Sequence, residues 1–185
     1  MMLYKSNVIR FIKILKNISR LKGKIIMIKA ILACDDEWGI GKDGDLPWPH
    51  NPADIKWFKK NTLNCMVIMG KSTWDSLPRK PLPNRENMIV TKAKQEFGFG
   101  DYEFANFSEA KSRILDIKDK EDVWIIGGAK LIEGMIHLIN EFHLSRIDGI
   151  FNCDTFLPKD LIKEHFVLSD QSKLEGVNFD IWCKK

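Results

Sequence analysis

The sequence predicts a single α/β domain with a central mixed, mostly parallel sheet that is flanked by helices and finished by a C-terminal antiparallel hairpin. Short, continuous apolar runs alternate with amphipathic stretches over most of the chain, which is typical of parallel strands covered on both faces. The last third differs, because its apolar runs follow one another with few helical stretches between them. The length of 185 residues suits one domain with a substantial core.

Each predicted element follows from the local pattern of apolar residues. The first strands are the apolar runs Ile28–Ala33, Met66–Met69, Met88–Val90 and Val123–Ile126, and the predicted helices cover residues 52–61, 72–77, 108–116 and 129–136. The C-terminal strands are predicted at Phe142–Ile147, His165–Asp170 and Phe179–Cys183. Residues 175–178 have the composition of the hairpin turn.

Composition excludes several classes of protein. Hydrophobic residues make up 44% and charged residues 29% of the chain, which is typical of a globular protein in water. The cysteines and histidines are scattered without metal-ligand spacing, so we expect neither a disulfide framework nor a metal site. Scattered cysteines without a CxxC pair favour a reducing compartment, and we expect the protein in the cytoplasm.

Residues 1–26 form a basic amphipathic extension. They carry seven Lys or Arg residues and no acid, and the rest of the chain has 22 basic against 25 acidic residues. The net charge of +4 is therefore local and predicts no nucleic-acid binding. The extension is too charged to span a bilayer and has no secretory-signal pattern.

Three interpretations of this extension remain open: a membrane-surface or targeting helix, a structural extension, or sequence upstream of the true start. We favour the last, because Met27 directly precedes the first predicted strand. The predicted domain is therefore residues 27–185.

One acid in a hydrophobic setting is the first candidate site residue. Asn51 can cap the helix that begins at Pro52, which places Asp54 in the first helical turn. Phe58 shares its helix face, and Ile55 flanks it. Taken alone, Asp54 is an ordinary acid at a helix start. An acid on an apolar face nevertheless needs a polar partner, and a flat ligand with an amidine-like edge would satisfy Asp54 while stacking on Phe58.

Three predicted strand ends indicate an anion-binding site. Gly70-Lys71-Ser72-Thr73, Thr91-Lys92 and Gly127-Gly128-Ala129-Lys130 each follow a strand. Ligands of open α/β sheets bind beyond such ends, and glycines there admit a pyrophosphate. A nucleotide-triphosphate P-loop is excluded, since Cys65 stands where its first glycine belongs. The extra lysines favour NADP over NAD.

From about Met27 to its C-terminus the chain resembles the dihydrofolate reductase family. The segments that carry this resemblance are Ala33, Trp38–Gly41, Leu46–Trp48, Pro52–Asp54, Phe58, Thr62, Met69–Trp74, Pro81–Arg85, Ile126–Ala129 and Asp154–Thr155. Their order and spacing make the resemblance specific. It implies NADPH-dependent reduction of 7,8-dihydrofolate to 5,6,7,8-tetrahydrofolate, with hydride transfer to C6 and protonation at N5. Such an enzyme supports thymidylate and one-carbon metabolism and is an antifolate target.

The resemblance also implies residue roles on the substrate side. Asp54 would grip the pterin, Trp48 would order a nearby water, Thr62 would hydrogen-bond the carboxylate, and Arg85 would pair with the glutamyl α-carboxylate. The expected catalytic set is Asp54, Trp48, Leu46 and Thr62, and the expected substrate-binding set is Ile31, Ala33, Asp54, Ile55, Phe58, Leu77, Leu82, Arg85, Ile126 and Ser145.

On the cofactor side, the resemblance implies a mobile loop at residues 36–48, a cis Gly127–Gly128 link and NADPH as the cofactor. The expected cofactor-binding residues are Ala33, Ile40, Gly41, Leu46, Gly70, Lys71, Ser72, Thr73, Val90, Thr91, Lys92, Gly127, Gly128, Ala129, Lys130, Leu131 and Thr155. The expected partner is dihydrofolate, with no metal, no nucleic acid and no integral membrane span. We expect a monomer.

Two other functions are compatible with parts of this sequence. A reductase of this fold that acts on a ribosylated aminopyrimidine does not need Asp54, Phe58 and Arg85 together, so their co-occurrence speaks against it. A non-catalytic scaffold stays open as an added role, whereas the intact catalytic positions speak against it as the only role.

Overall fold

The computed structural model describes residues 27–92, 102–117 and 122–185, and their central feature is an eight-stranded sheet. The strands are β1 Ile28–Cys34, β2 Gly39–Gly41, β3 Met66–Gly70, β4 Glu86–Val90, β5 Tyr102–Ala105, β6 Val123–Ile125, β7 Glu141–Ile147, β8 Thr155–Phe156, β9 Phe166–Leu174 and β10 Val177–Lys184. The helices are α1 Pro52–Thr62, α2 Lys71–Ser76, α3 Phe107–Ile117, α4 Ala129–Met135 and α5 Lys159–His165.

The strand order is β5-β4-β3-β6-β1-β7-β10-β9, and the pairings from β5 to β7 are all parallel. Strand β10 runs antiparallel to both β7 and β9, so a hairpin ends the sheet. β2 and β8 form a separate two-stranded antiparallel ribbon. The predicted mixed, mostly parallel sheet with its C-terminal hairpin is therefore confirmed.

Both faces of the sheet are covered by apolar side chains. One face packs against α3, α4 and α5 through residues such as Ile114, Ile132 and Ile162. On the other face, Trp57 and Phe58 of α1 and Trp74 of α2 join alternate strand residues. This alternation explains why β3 and β6 are continuous apolar runs in the sequence and why β1 and β4 are largely apolar.

Several elements were not predicted. Strand β5 is only half-buried over most of its four residues, and β2 is the tripeptide Gly-Ile-Gly, so neither has a strong strand pattern. Helix α5 begins after Pro158 without a side-chain cap and has one fully buried residue, Ile162. The prediction that residues 175–178 form the hairpin turn was too wide, because only Glu175 and Gly176 lie between β9 and β10. Both have positive φ, at 50° and 80°, as tight hairpins require.

The N-terminal extension, residues 1–26, lies outside the described residues. Among the helices that the structure describes, none is long and apolar enough to cross a bilayer.

Candidate active site

Asp54 lies in the first turn of α1, as predicted. The Asn51 side chain caps this helix by accepting hydrogen bonds from the backbone N–H groups of Ala53 and Asp54, both at 3.1 Å. Burial raises the pKa of the Asp54 carboxyl, and hydrogen bonding with Ser145 lowers it in part. The outcome is a carboxyl that holds its proton more strongly than an exposed aspartate does.

Ser145 connects Asp54 to the centre of the sheet. Its hydroxyl is fully buried and has no partner at standard hydrogen-bond geometry among the described residues, so its contact with Asp54 is a loose one. Ser145 of β7 pairs in register with Ala33 of β1. Since neighbouring strands lie about 4.8 Å apart, the acid and Ala33 occupy the same small region.

The Thr62 hydroxyl has a different partner from the one expected. Thr62 was expected to hydrogen-bond the active-site carboxylate, but its Oγ1 donates to the Phe58 carbonyl at 2.8 Å and accepts from Arg85 Nε at 2.9 Å. Helix geometry explains this, because Thr62 lies two turns beyond Asp54 at the opposite end of α1. Its role is to orient Arg85, and Ser145 is the hydroxyl beside the acid.

Arg85 is a buried guanidinium without an acidic partner among the described residues. It is 8% exposed, and its Nη1 donates to the Pro83 carbonyl at 2.8 Å. Its Cζ atom lies 5.6 Å from the Phe58 ring centroid. Burial lowers the pKa of Arg85, which shows that desolvation opposes its charge. A group of this kind is ready to receive an anion.

An apolar cluster on the α1 side of the sheet contains many of the expected substrate residues. Ile31 of β1 and Ile126, which directly follows β6, are buried members of the cluster, and Phe58, Leu77 and Leu82 are half-buried at its margin. Ile55 is half-buried beside Asp54 on α1. The sequence prediction therefore brought together residues that share one surface.

Glycines form the floor of an open cleft. The Gly127–Gly128 peptide bond is cis, as the resemblance implied, and Gly127 has φ +118°. A Cβ atom on Gly127 would lie 3.3 Å from Leu32 Cδ2, and one on Gly128 would lie 3.5 Å from Thr73 Oγ1. Side chains at these positions would fill the floor, so the glycines keep it open to a ligand.

Most of the cleft lining was predicted. The expected residues that line it are Ala33, Ile40, Gly41, Leu46, Ser72, Thr73, Ile126, Gly127, Gly128 and Thr155. Four further lining residues were missed: Leu32, Gly44, Asp45 and Ser76. Ser76 had a signal in the sequence, because it follows Ser72 by one helical turn on α2. Gly44 and Asp45 lie in an irregular loop whose sequence carries no periodicity.

The remaining expected cofactor residues lie at the carboxyl ends of adjacent strands. Because β3 lies between β4 and β6, the segments that start at Gly70, Thr91 and Gly127 share one sheet edge, as predicted. Lys92 and Lys130 are exposed there, and Lys71 forms an ion pair with Asp75. The other expected residues are Val90 and Ala129, which are half-buried, and Leu131, which is buried in the core.

The segment 36–48 forms one wall of the cleft. Its Gly41 pairs with Thr155, and the Asp43 N–H donates to Asp154 Oδ2 at 2.7 Å. At its end, Leu46 is 58% exposed on the cleft and Trp48 is buried, with its ring 5.8 Å from that of Phe151. Leu46 is therefore the expected cofactor contact on the exposed side of this segment, and the buried Trp48 holds its C-terminal end.

A family model described as "Dihydrofolate reductase" matches residues 27–179. The chain is 38% identical to dihydrofolate reductase of Bacillus subtilis (strain 168) over 136 residues, which cover 72% of this chain and 76% of that protein. It is 32% identical to dihydrofolate reductase of Sus scrofa over 173 residues, or 85% of this chain and 91% of that protein.

A solved structure agrees with these sequence comparisons. Dihydrofolate reductase from Enterococcus faecalis, complexed with NADP(H) and RAB-propyl, matches with a TM-score of 0.74 and 25% identity. The match covers 86% of this chain and 96% of that chain. By fold, by the matched sequence and by the arrangement of its cleft, this chain belongs to the dihydrofolate reductase family.

Proposed function

We propose that this chain reduces 7,8-dihydrofolate to 5,6,7,8-tetrahydrofolate with NADPH, and that Asp54 binds the pterin and supports protonation of its N5. The observation that carries this proposal is a half-buried carboxyl, without a basic partner among the described residues, one strand away from a glycine-floored cleft. This arrangement brings a proton-holding group close to a space that fits a dinucleotide.

The substrate side supports this assignment. The Asp54 carboxyl can accept hydrogen bonds from an amidine-like edge, such as N3–H and the 2-amino group of a pterin. Phe58 offers a ring face for stacking, with Ile31 and Leu82 in the same apolar cluster. Arg85, which Thr62 orients, can form a bidentate pair with a carboxylate at the far end of the ligand.

The cofactor side fits NADPH through its glycines and hydroxyls. Gly127 and Gly128 leave space for a pyrophosphate, and Ser72 and Thr73 bring hydroxyl groups to the same cleft. Lys92 and Lys130 are exposed near this sheet edge and suit an additional phosphate. When bound, NADPH supplies the hydride that C6 of dihydrofolate accepts. Ala33 and Ile40 line the cleft and help to exclude water there.

Besides the hydride, the reaction requires a proton at N5, and Asp54 supports its delivery. Burial raises the pKa of this carboxyl, so more of it is protonated near neutral pH than an exposed aspartate would be. Asp54 can therefore stabilise a protonated pterin ring, and a proton can reach N5 directly or through a water. Dry surroundings strengthen these hydrogen bonds.

Asp54→Asn tests the proposal. An absorbance assay that follows NADPH oxidation, with and without dihydrofolate, is expected to show a loss of turnover of about 100-fold or more, largest at neutral and higher pH. The control is Asp116→Asn, because Asp116 is exposed on α3, which packs on the other face of the sheet. Wild-type turnover by Asp54→Asn at pH 7 and above would contradict the role of Asp54.

We further propose that the protein works as a cytoplasmic monomer without nucleic acid. Cys34 and Cys153 form no disulfide within the part of the chain that the structure describes, which fits a reducing compartment. Asp54, Arg85 and the cleft all come from one chain. Light scattering of the purified protein, measured under turnover conditions, is expected to give a mass near 21.4 kDa. A stable dimer mass would contradict this proposal.

A further inference from the structure

Asp35 is a buried carboxylate for which the proposed reaction has no use. It follows the last residue of β1 and is 1% exposed. Its Oδ1 accepts hydrogen bonds from the backbone N–H of Gly39 at 2.8 Å and of Glu37 at 2.9 Å. Its Oδ2 accepts from the Phe151 N–H at 3.2 Å and from the Cys153 thiol at 3.4 Å.

All four partners of Asp35 are neutral donors, and no cation pairs with it among the described residues. Burial by itself would raise the pKa of Asp35, but these donors more than offset burial and hold the pKa below its usual value. An asparagine at this position has one oxygen and one NH₂ group. In either orientation its NH₂ group would face a backbone N–H donor. The site therefore requires a carboxylate.

The two oxygens of Asp35 join two segments that are far apart in sequence. Oδ1 holds the start of segment 36–48, and Oδ2 holds segment 149–153. Immediately beyond these contacts, β2 and β8 pair with each other. Ile40 and Gly41 of β2 and Thr155 of β8 line the cleft. Asp35 thus lies at the base of one cleft wall.

Two further contacts show how closely these segments approach. A Cβ atom on Gly39 would lie 2.4 Å from Cys153 Sγ and 2.5 Å from Cys153 Cβ. Trp38 has φ +69°, an uncommon conformation for an aromatic residue. Its ring lies 5.6 Å from the Arg146 guanidinium and 5.8 Å from Lys163 Nζ. Contacts with Cys153, Arg146 and Lys163 therefore hold the base of this cleft wall.

We infer that Asp35 is a positioning residue that holds segment 36–48 in its cleft-forming position by fastening it to segment 149–153, with the Gly39–Cys153 contact setting their separation. Asp35 does not touch the cleft and acts through Ile40, Gly41 and Thr155. The consequence for NADPH binding depends on the proposed function, whereas the fastening itself does not.

Asp35→Asn tests the fastening by amide hydrogen exchange in the protein without ligand. The Asp43 and Asp154 amides bond to Asp154 Oδ2 and to the Gly41 carbonyl, not to Asp35. We expect their exchange to accelerate at least tenfold while the β3 amides stay protected. The matched control is Glu37→Gln, because Glu37 is exposed and reaches Asp35 only through its backbone N–H. If hydrogen exchange accelerates only at the amides that bond Asp35 directly, those of Glu37, Gly39 and Phe151, the inference is wrong.

A second test keeps the Asp35 carboxylate and changes the packing of Gly39 against Cys153. Gly39→Ala is expected to accelerate the same amides, because its methyl group meets Cys153. Adding Cys153→Gly removes both clashing atoms, so the double variant is expected to regain slow exchange. If the double variant exchanges as fast as Gly39→Ala, the contact does not set the separation, and the inference is wrong. This test applies even if Asp35→Asn fails to fold.

Equilibrium binding of NADPH connects the fastening to the cleft. The dissociation constant is expected to rise about tenfold in Asp35→Asn and in Gly39→Ala, and to recover in the double variant. Unchanged affinity in variants with accelerated exchange would overturn the positioning role. If the wild-type protein binds NADPH but does not reduce dihydrofolate, the proposed function fails while this inference stands.

Discussion

Asp54 and Arg85 show at the scale of single residues how this chain combines stability with activity. Arg85 is buried and Asp54 is half-buried, and neither forms an ion pair with an oppositely charged side chain among the described residues. Such burial opposes folding unless a ligand or a hydrogen bond compensates for it. The two groups also differ in chemistry, since one accepts hydrogen bonds and the other donates them. We propose that they recognise opposite ends of one ligand.

Asp54→Asn is expected to increase the free energy of unfolding near pH 7. Because the folded state raises the pKa of Asp54, the folded protein binds the proton more tightly than the unfolded chain does. Stability from this group is complete below the unfolded pKa and is lost as pH rises through the folded pKa. The gain in Asp54→Asn should therefore shrink toward zero at about pH 3. Urea unfolding at both pH values, with Asp116→Asn as the control, measures it; an equal gain at both would contradict the assignment.

Arg85→Lys is expected to raise the KM for dihydrofolate by about 10- to 100-fold, because lysine cannot form the two parallel hydrogen bonds to a carboxylate. It also loses the contact with Thr62 Oγ1. The KM for NADPH should change little. Steady-state kinetics measures both, and Arg79→Lys is the control because Arg79 is exposed. Equal weakening of both ligands would show that Arg85 supports the whole cleft instead.

The sequence predicts the position of Asp54 in the first turn of α1, which the structure shows, but not the hydroxyl partners of Asp54 and Arg85. Asp54 is recognisable because capping signals place it within a helix. Thr62 was expected to hydrogen-bond the Asp54 carboxylate, but it bonds the Arg85 guanidinium instead. Helix spacing shows which residues share a face, but not which residue of a later loop contacts that face. The contact between Thr62 and Arg85 spans 23 residues and depends on tertiary structure.

At the level of secondary structure, the capped N-terminus of a helix positions the site. Asn51 caps α1, and Asn106 caps α3 by accepting from the Ser108 and Glu109 N–H groups at 2.9 and 3.0 Å. The two caps are chemically alike. Only the first fixes the backbone of a proposed active-site residue, Asp54.

Asn51→Ala and Asn106→Ala separate stability from positioning. Each is expected to lower the free energy of unfolding by about 1 kcal/mol, since each removes an N-cap. Only Asn51→Ala should also slow turnover severalfold, because the Asp54 N–H loses its acceptor. Denaturant unfolding and NADPH oxidation measure the two effects. A similar loss of turnover in Asn106→Ala would show that activity follows global stability alone.

The predicted elements were reliable where burial was strong. Strands β1, β3, β4 and β6 are buried on both faces, and their apolar runs show it. Strand β5 and the β2–β8 ribbon exist because a neighbouring strand completes their hydrogen bonds, and a local pattern does not show that neighbour. Helix α5 similarly depends on packing through Ile162.

At the scale of the whole molecule, sheet order creates the cleft. The adjacent strands β4, β3 and β6 end at one edge, so residues from three distant segments meet there. The alternation of apolar runs and helices predicted this arrangement, because it predicts parallel strands. The fastening of segment 36–48 by Asp35 was not predictable in this way, since two of its four partners, Phe151 and Cys153, lie more than 100 residues away.

We propose that residues 27–185 fold and act without the basic extension. Met27 already joins the described fold, since its N–H donates to Asp122 Oδ1 at 3.2 Å and its carbonyl accepts from the Val123 N–H at 3.2 Å. A protein that begins at Met27 is expected to keep the wild-type turnover and a melting temperature within about 2 °C. Thermal unfolding and the NADPH assay check this. A large loss of either would assign the extension a structural role.

The central place of β1 has a consequence for biosynthesis. The strand made first lies between β6 and β7, and the Ile28 N–H bonds to Asn140 Oδ1, 112 residues later. On the ribosome, Ile28, Ala30 and Ile31 therefore emerge long before either neighbour has been translated. Until then this nascent segment exposes apolar side chains and unpaired amides to chaperones and to other nascent chains, so late closure of the sheet should limit the folding rate.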